Sequence, residues 1–172
     1  MEHVSRPRRI VLAVAALALL CGAGSPVKAE TPAGLGAAPV FSRLDLQHKT
    51  VKLDAYRGKV VLLNFWATWC GPCLSEMPRF AAWQASYGGR GLQVIGISMD
   101  DTEAPVRALY QKQHLNFPVV MGDANLGELY GGILGLPVTY VIDRKGTIRF
   151  KYQGATDLTV IEREIETVLA RQ

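Results

Sequence analysis

Two cysteines with a glycine and a proline between them, Cys70-Gly71-Pro72-Cys73, are the residues of this chain best suited to chemistry. A thiol three residues from another can close a short disulfide and reopen it. The reacting species in such exchange is the thiolate, so whatever lowers the first thiol's pKa makes it a nucleophile. The flanking sequence supplies the means. Val60-Val61-Leu62-Leu63-Asn64-Phe65 is an apolar, β-rich run, and Leu74 to Trp83 reads as helix. The pair therefore falls where a strand ends and a helix begins. An anion at a helix N-terminus is stabilised by the unpaired N–H groups there, so Cys70 is expected to ionise more easily than a free cysteine.

Two other readings of the motif are weaker. Structural zinc wants four Cys or His ligands in two short pairs, whereas Cys21, His48 and His114 stand apart and form no second pair. A purely structural disulfide across so short a loop would remove little chain entropy and be a poor staple. Redox chemistry leads, with no metal and no cofactor expected.

The elements that must position the pair follow along the chain. Val40–Leu46 and Thr50–Leu53 are expected as a hairpin around Gln47-His48-Lys49, and Asp54–Gly58 as a turn. Val60–Phe65 and Leu92–Ser98 lack alternation and read as buried strands. The helix after Cys70 is expected over 71–87, with Pro72 in its first turn, Pro78 kinking it and Gly88-Gly89 ending it. Thr102–His114 reads as a helix capped by Asp101 or Thr102, Phe117–Met121 as a short strand, and Asn125–Tyr130 as a short helix stopped by Gly131-Gly132. A hairpin of Leu136–Ile142 and Thr147–Tyr152 turns at Asp143–Gly146, and Leu158, Ile161, Ile165, Val168 and Leu169 mark a last helix over 157–171. The alternation implies an α/β domain on a central mixed β-sheet.

The 172 residues suit one domain with its own core, and the apolar fraction of 49% and charged fraction of 20% are globular values. The net charge of +4 is concentrated at the start: residues 1–29 hold Arg6, Arg8, Arg9 and Lys28 against Glu2, leaving 15 of the 19 basic and 14 of the 15 acidic side chains for the rest. No basic surface argues for nucleic acid. Arg6, Arg8 and Arg9 precede an apolar run from Ile10 to Cys21, too short for a span of about 20 residues, and Val27-Lys28-Ala29 offers small residues before a cut at Glu30. Residues 1–29 are therefore expected to be a secretory signal peptide, with an uncleaved anchor through residues 10–23 as the alternative. The preceding Leu20 argues against lipid attachment at Cys21. A loose linker is expected over 30–38 and the folded domain over 39–172. After cleavage, Cys70 and Cys73 would be a lone pair in a compartment where disulfides persist, which favours catalysis over bracing.

On two stretches, Val61-Leu62-Leu63-Asn64-Phe65-Trp66-Ala67-Thr68-Trp69-Cys70-Gly71-Pro72-Cys73 and Gly135-Leu136-Pro137-Val138-Thr139-Tyr140-Val141-Ile142-Asp143, residues 39–172 resemble the thioredoxin-like superfamily and, within it, the TlpA/ResA/CcmG-type exported thiol–disulfide oxidoreductases. The resemblance implies a thioredoxin-like fold with a helix–strand insertion over 102–130. It implies that Cys70 attacks, that buried Cys73 resolves, and that Pro137 is a cis-proline facing them. Trp69, Leu136 and Pro137 would meet the substrate chain; Trp66 reads rather as core. Glu76, three residues after Cys73 on the same helix face, matches the group's active-site glutamate. A carboxylate there could relay a proton, and would raise a thiol's pKa by repulsion. Asn64 stands where thioredoxin has a buried aspartate, and an amide cannot serve as a proton carrier, so that role would fall to Glu76.

The resemblance implies a monomeric periplasmic enzyme, most readily a dithiol reductase of disulfide-containing exported proteins, with apocytochrome c among the candidate substrates and a membrane dithiol carrier as electron donor. Three alternatives stand beside it: a disulfide-forming oxidant on the same scaffold, a thioredoxin-like binding or chaperone module, and a thiol peroxidase suggested by Val94–Asp101.

Overall fold

The structure, a computed structural model, describes Met1 and residues 35–171. The chain divides after Thr31 into two units, and every element below belongs to the second, Pro32–Gln172. The expected signal peptide, with its run from Ile10 to Cys21, and residues 30–34 of the expected linker lie outside the described residues, Met1 apart. Among the described residues no helix is long and apolar enough to cross a membrane.

In chain order the elements are β1 (Ser42–Leu44), β2 (Thr50–Lys52), a 3-10 turn (Leu53–Tyr56), β3 (Val60–Trp66), α1 (Gly71–Tyr87), β4 (Leu92–Ser98), α2 (Glu103–Lys112), β5 (Val119–Met121), α3 (Ala124–Leu129), β6 (Val138–Ile142), β7 (Ile148–Gln153) and α4 (Leu158–Ala170). Five strands form one mixed sheet in the order β5-β4-β3-β6-β7. β3 runs parallel to β4 and β4 to β5, while β6 and β7 are antiparallel. This is the mixed sheet flanked by helices that the sequence implies, and the 102–130 insertion is α2, β5 and α3.

All seven residues of β3 are buried, because both faces of the sheet are covered. On one face Leu62, Trp66, Val94, Val119 and Val141 pack with Met77, Phe80 and Trp83 of α1, Val106 of α2, and Ile161, Ile165, Val168 and Leu169 of α4. On the other, Val61, Leu63, Phe65, Ile95, Ile97, Tyr140 and Ile142 pack with Leu126 and Tyr130 and with Val51 and Leu53 of the N-terminal hairpin. Each such side chain contributes roughly 1.5–3 kcal/mol by burial; Leu62→Ala, at the sheet centre, would cost about 2–5 kcal/mol.

Several boundaries differ from the sequence expectations for local reasons. β1 stops at Leu44 because the Asp45 carboxylate accepts the Gln47 and Lys49 amides and turns the chain early. Gly88 does not reverse the end of α1: it keeps right-handed angles, a 3-10 turn continues to Arg90, and Gly91, at φ 99°, makes the left-handed step. Thr102 occupies the N-cap of α2 without a side-chain hydrogen bond. Residues 35–38, expected at the end of a loose linker, are bound to the sheet edge: Leu35 N–H donates to the Ile148 carbonyl at 2.8 Å and Ala38 N–H to Gly146 at 2.9 Å. Further on, Leu46 N–H donates to Val119 at 3.0 Å. The N-terminal stretch thus covers part of both outer strands, β7 and β5, which would otherwise present open edges.

Candidate active site

The site lies at the end of the sheet where β3 and β4 finish. Beyond Trp66 the chain makes a tight turn, Cys70 N–H donating to the Ala67 carbonyl at 3.1 Å, and enters α1. Cys70 is the N-cap of that helix, in extended backbone (φ −90°, ψ 99°), and Pro72 stands in the first turn where its missing N–H costs nothing. Cys70 and Cys73 are joined as a disulfide with a Cα–Cα separation of 5.3 Å. Cys70 Sγ also accepts the Cys73 amide at 3.3 Å. The helix therefore offers an N–H and its positive end to the sulfur of Cys70, which is the arrangement that stabilises a thiolate once the bond is reduced.

Access to the two sulfurs is unequal. Cys73 is fully buried, Cys70 retains 6% exposure, and neighbouring Trp69 is 70% exposed. An approaching group reaches Cys70 first, beside a bare indole. Trp66 is fully buried and belongs to the core.

One turn along α1, Glu76 is only 5% exposed. Its Oε2 is buried without a hydrogen-bond partner, and its carboxyl accepts the Thr156 amide. Burial pushes its pKa up from 4.5 to about 7, with the Thr156 N–H pulling the other way. A group that binds and releases a proton near neutrality stands one turn from Cys73. Asn64, on the helix-α1 face of β3 by its alternation with Leu62 and Trp66, is buried and donates from Nδ2 to Thr139 Oγ1 at 2.9 Å, leaving its Oδ1 unpartnered.

The Leu136–Pro137 peptide is cis. Register explains where it sits: Phe65 pairs with Val138, so Pro137 falls at the level of Trp66, at the same end of the sheet as the Ala67–Cys70 turn. Pro137 is buried, its carbonyl accepts the Gly154 amide at 2.8 Å, and half-buried Leu136 packs against both faces' clusters. The sequence-derived residues Trp69, Cys70, Cys73, Glu76, Leu136 and Pro137 thus all belong to this end of the sheet and to the first turns of α1.

Sequence reasoning missed a second set. The Asp100 carboxylate, just past β4, accepts Thr68 N–H at 2.9 Å, the Thr68 hydroxyl at 2.5 Å and the Ser98 hydroxyl at 2.7 Å. Thr68 is two residues from Cys70 and 32 from Asp100, and no spacing rule connects them.

Comparison with known proteins agrees with this geometry. Residues 36–151 match the model of the AhpC/TSA family. The thiol–disulfide oxidoreductase ResA of Bacillus thuringiensis subsp. konkukian is 30% identical over 172 residues, covering 95% of this chain and 98% of its own. The thioredoxin-like protein YneN of Bacillus subtilis is 36% identical over 135 residues, covering 77% of this chain and 76% of its own. Among solved structures, a thiol:disulfide interchange protein of the thioredoxin family from Chlorobium tepidum superposes with a TM-score of 0.73 at 29% identity, over 78% of this chain and 97% of that one. A bonded C-x-x-C at a helix start, on a mixed sheet shared with these relatives, can carry the exchange for which they are named: the chain belongs to the AhpC/TSA family, as a thiol–disulfide oxidoreductase similar to ResA.

Proposed function

We propose that this oxidoreductase is a dithiol reductase of disulfides in exported proteins, with Cys70 as the attacking thiol. The observation that carries the reading is the asymmetry of the pair: Cys70 alone is reachable and alone caps α1. In the reduced enzyme the Cys70 thiolate attacks a substrate disulfide; one substrate sulfur leaves as a thiolate and takes a proton, and a mixed disulfide forms. Cys73 then loses its proton, attacks Cys70 Sγ, and expels the second substrate thiolate as the enzyme disulfide closes. The second step needs a base beside a buried thiol. Glu76, with a pKa of about 7, takes that proton and delivers it to the departing sulfur. Trp69, Leu136 and Pro137 hold the substrate chain beside Cys70.

Each turnover leaves the enzyme oxidised, so an exported reductase needs a membrane dithiol carrier to reduce it again. The signal-like residues 1–29 support a periplasmic or otherwise extracytoplasmic site of action; we take the enzyme as a monomer with disulfide-bearing clients of the apocytochrome c type.

Equilibration of residues 30–172 with glutathione tests the direction. A potential at or below roughly −230 mV, toward thioredoxin at about −270 mV, supports a reductase. A value above roughly −150 mV, toward DsbA at about −120 mV, makes the protein a disulfide donor instead. Rapid peroxide consumption without a thiol substrate would replace both readings with a peroxidase, and a double Cys→Ser variant that still served its client would leave a binding module.

A further inference from the structure

Asp100 is only 8% exposed and accepts three hydrogen bonds, yet it has no salt bridge among the described residues. Placing an ionised carboxylate in so dry a setting is costly, and hydrogen bonds to charged acceptors are the strong ones. Two of the three come from Thr68, through its backbone and its hydroxyl. The third comes from Ser98, whose Oγ also accepts the Asp100 amide at 3.2 Å, so the carboxylate is itself held in place. Met99 N–H donates to the Trp66 carbonyl at 2.8 Å and stitches the same two chain segments together one step earlier.

The segment so clamped is the turn that delivers Cys70. Thr68 is the second residue of the Ala67–Cys70 turn, and Cys70, its last, is the N-cap whose sulfur faces the Cys73 amide. The oxidised site is also held by its covalent S–S bond. When that bond is reduced, the placement of Cys70 Sγ against the helix N-terminus depends on the turn that leads into it and on the first bond of α1, Leu74 N–H to the Cys70 carbonyl at 3.1 Å.

We propose that Asp100 is a positioning residue: through Thr68 it locks the Ala67–Cys70 turn, and so keeps the reduced Cys70 sulfur on the Cys73 N–H that stabilises its thiolate. This rests on the reading of Cys70 as the attacking thiol. The hydrogen bonds of Asp100 go to Thr68 and Ser98 rather than to a sulfur, and a carboxylate's negative charge opposes a thiolate. Position and charge therefore pull in opposite directions, which makes the two roles separable.

The experiment is alkylation of the fully reduced protein by iodoacetamide at pH 7, with mass spectrometry to locate the adduct and thermal melts to verify folding. Thr68→Ala removes one hydroxyl from a half-buried turn and leaves the backbone bond to Asp100, so it is the variant least exposed to folding failure. It should slow Cys70 alkylation by about fivefold, the scale of one net hydrogen bond, and Thr68→Ser should restore the rate. Asp100→Asn, which brings N–H donors against the donors it should accept, should slow alkylation further, although it removes a repelling charge. Unchanged rates in Thr68→Ala, or faster alkylation in Asp100→Asn, would overturn the proposal. If wild-type protein is alkylated at Cys73 instead of Cys70, the assignment of the attacking thiol fails, and that outcome is read directly from the adduct.

Discussion

The two ends of the sheet are built to opposite standards. At the end away from Cys70, two charged side chains each bind several backbone groups. The Arg144 guanidinium donates to the carbonyls of Gly58 at 2.7 Å, Arg90 at 3.4 Å and Leu169 at 3.3 Å, tying together the start of β3, the start of β4 and the end of α4. The Asp143 carboxylate accepts the Lys145 and Thr147 amides, both at 2.9 Å, and closes the β6–β7 turn. At the Cys70 end, Glu76 Oε2 and Asn64 Oδ1 are buried without partners, and Trp69 lies open to solvent. Buried polar groups are nearly always paired in folded proteins; Trp83 Nε1 and Gln113 Oε1 are also unpartnered farther from the disulfide, but Glu76 Oε2 and Asn64 Oδ1 are the carboxyl and amide oxygens that flank it, and they mark where stability has yielded to chemistry. One end ties the strands together; the other carries the disulfide.

The contrast predicts which changes separate activity from stability. The largest effect belongs to the sulfurs. Cys70→Ser should lower insulin-disulfide reduction by about 10³-fold or more, with little change in fold. Cys73→Ser should instead trap substrate as a mixed disulfide visible on a non-reducing gel, and a variant that turned over normally would sink the assigned order of attack.

At the end away from the disulfide, Arg144→Ala should destabilise by about 1–3 kcal/mol, since it strips donors from three carbonyls, while activity per folded molecule stays at the wild-type level. Denaturant midpoint and insulin turnover, measured on the same preparation, check both halves of that statement.

Glu76 gives the pH test. Its folded pKa, about 7, lies above its ordinary 4.5, so between these values the native state holds the proton more tightly than the unfolded chain. The slope of stability with pH is then negative: this group costs nothing below about pH 4.5 and destabilises increasingly as pH rises through 7, by on the order of 2 kcal/mol. Glu76→Gln should remove that fall, matching wild type at pH 4 and exceeding it at pH 8, while slowing resolution by Cys73. Parallel stability curves for the two proteins between pH 4 and 8 would contradict the buried, protonatable carboxyl.

The smallest effect is expected at Trp69. As an exposed side chain it should cost less than about 0.5 kcal/mol of stability when replaced by alanine, yet raise KM for a protein disulfide severalfold. An unchanged KM would remove Trp69 from the substrate surface.

Much of this protein is written locally. Turn chemistry, helical spacing and apolar runs mark the seven strands and four helices of the described residues, because each depends on neighbours within a few residues. The C-x-x-C pair at a strand–helix junction is equally local, and so is Glu76's place on the Cys73 face of α1. What the chain order alone could not say is which polar groups end up dry. Glu76 acquires its neutral-range pKa from burial, against the downward pull of the Thr156 N–H, 80 positions away. Asn64 meets Thr139 across 75 residues and Thr68 meets Asp100 across 32. Residues 35–38, loop-like in composition, become an edge cover only because β7 is there to be paired. Burial and long-range hydrogen bonding belong to the assembled environment rather than to any residue type, so they are decided only when the sheet and its helices close around the site.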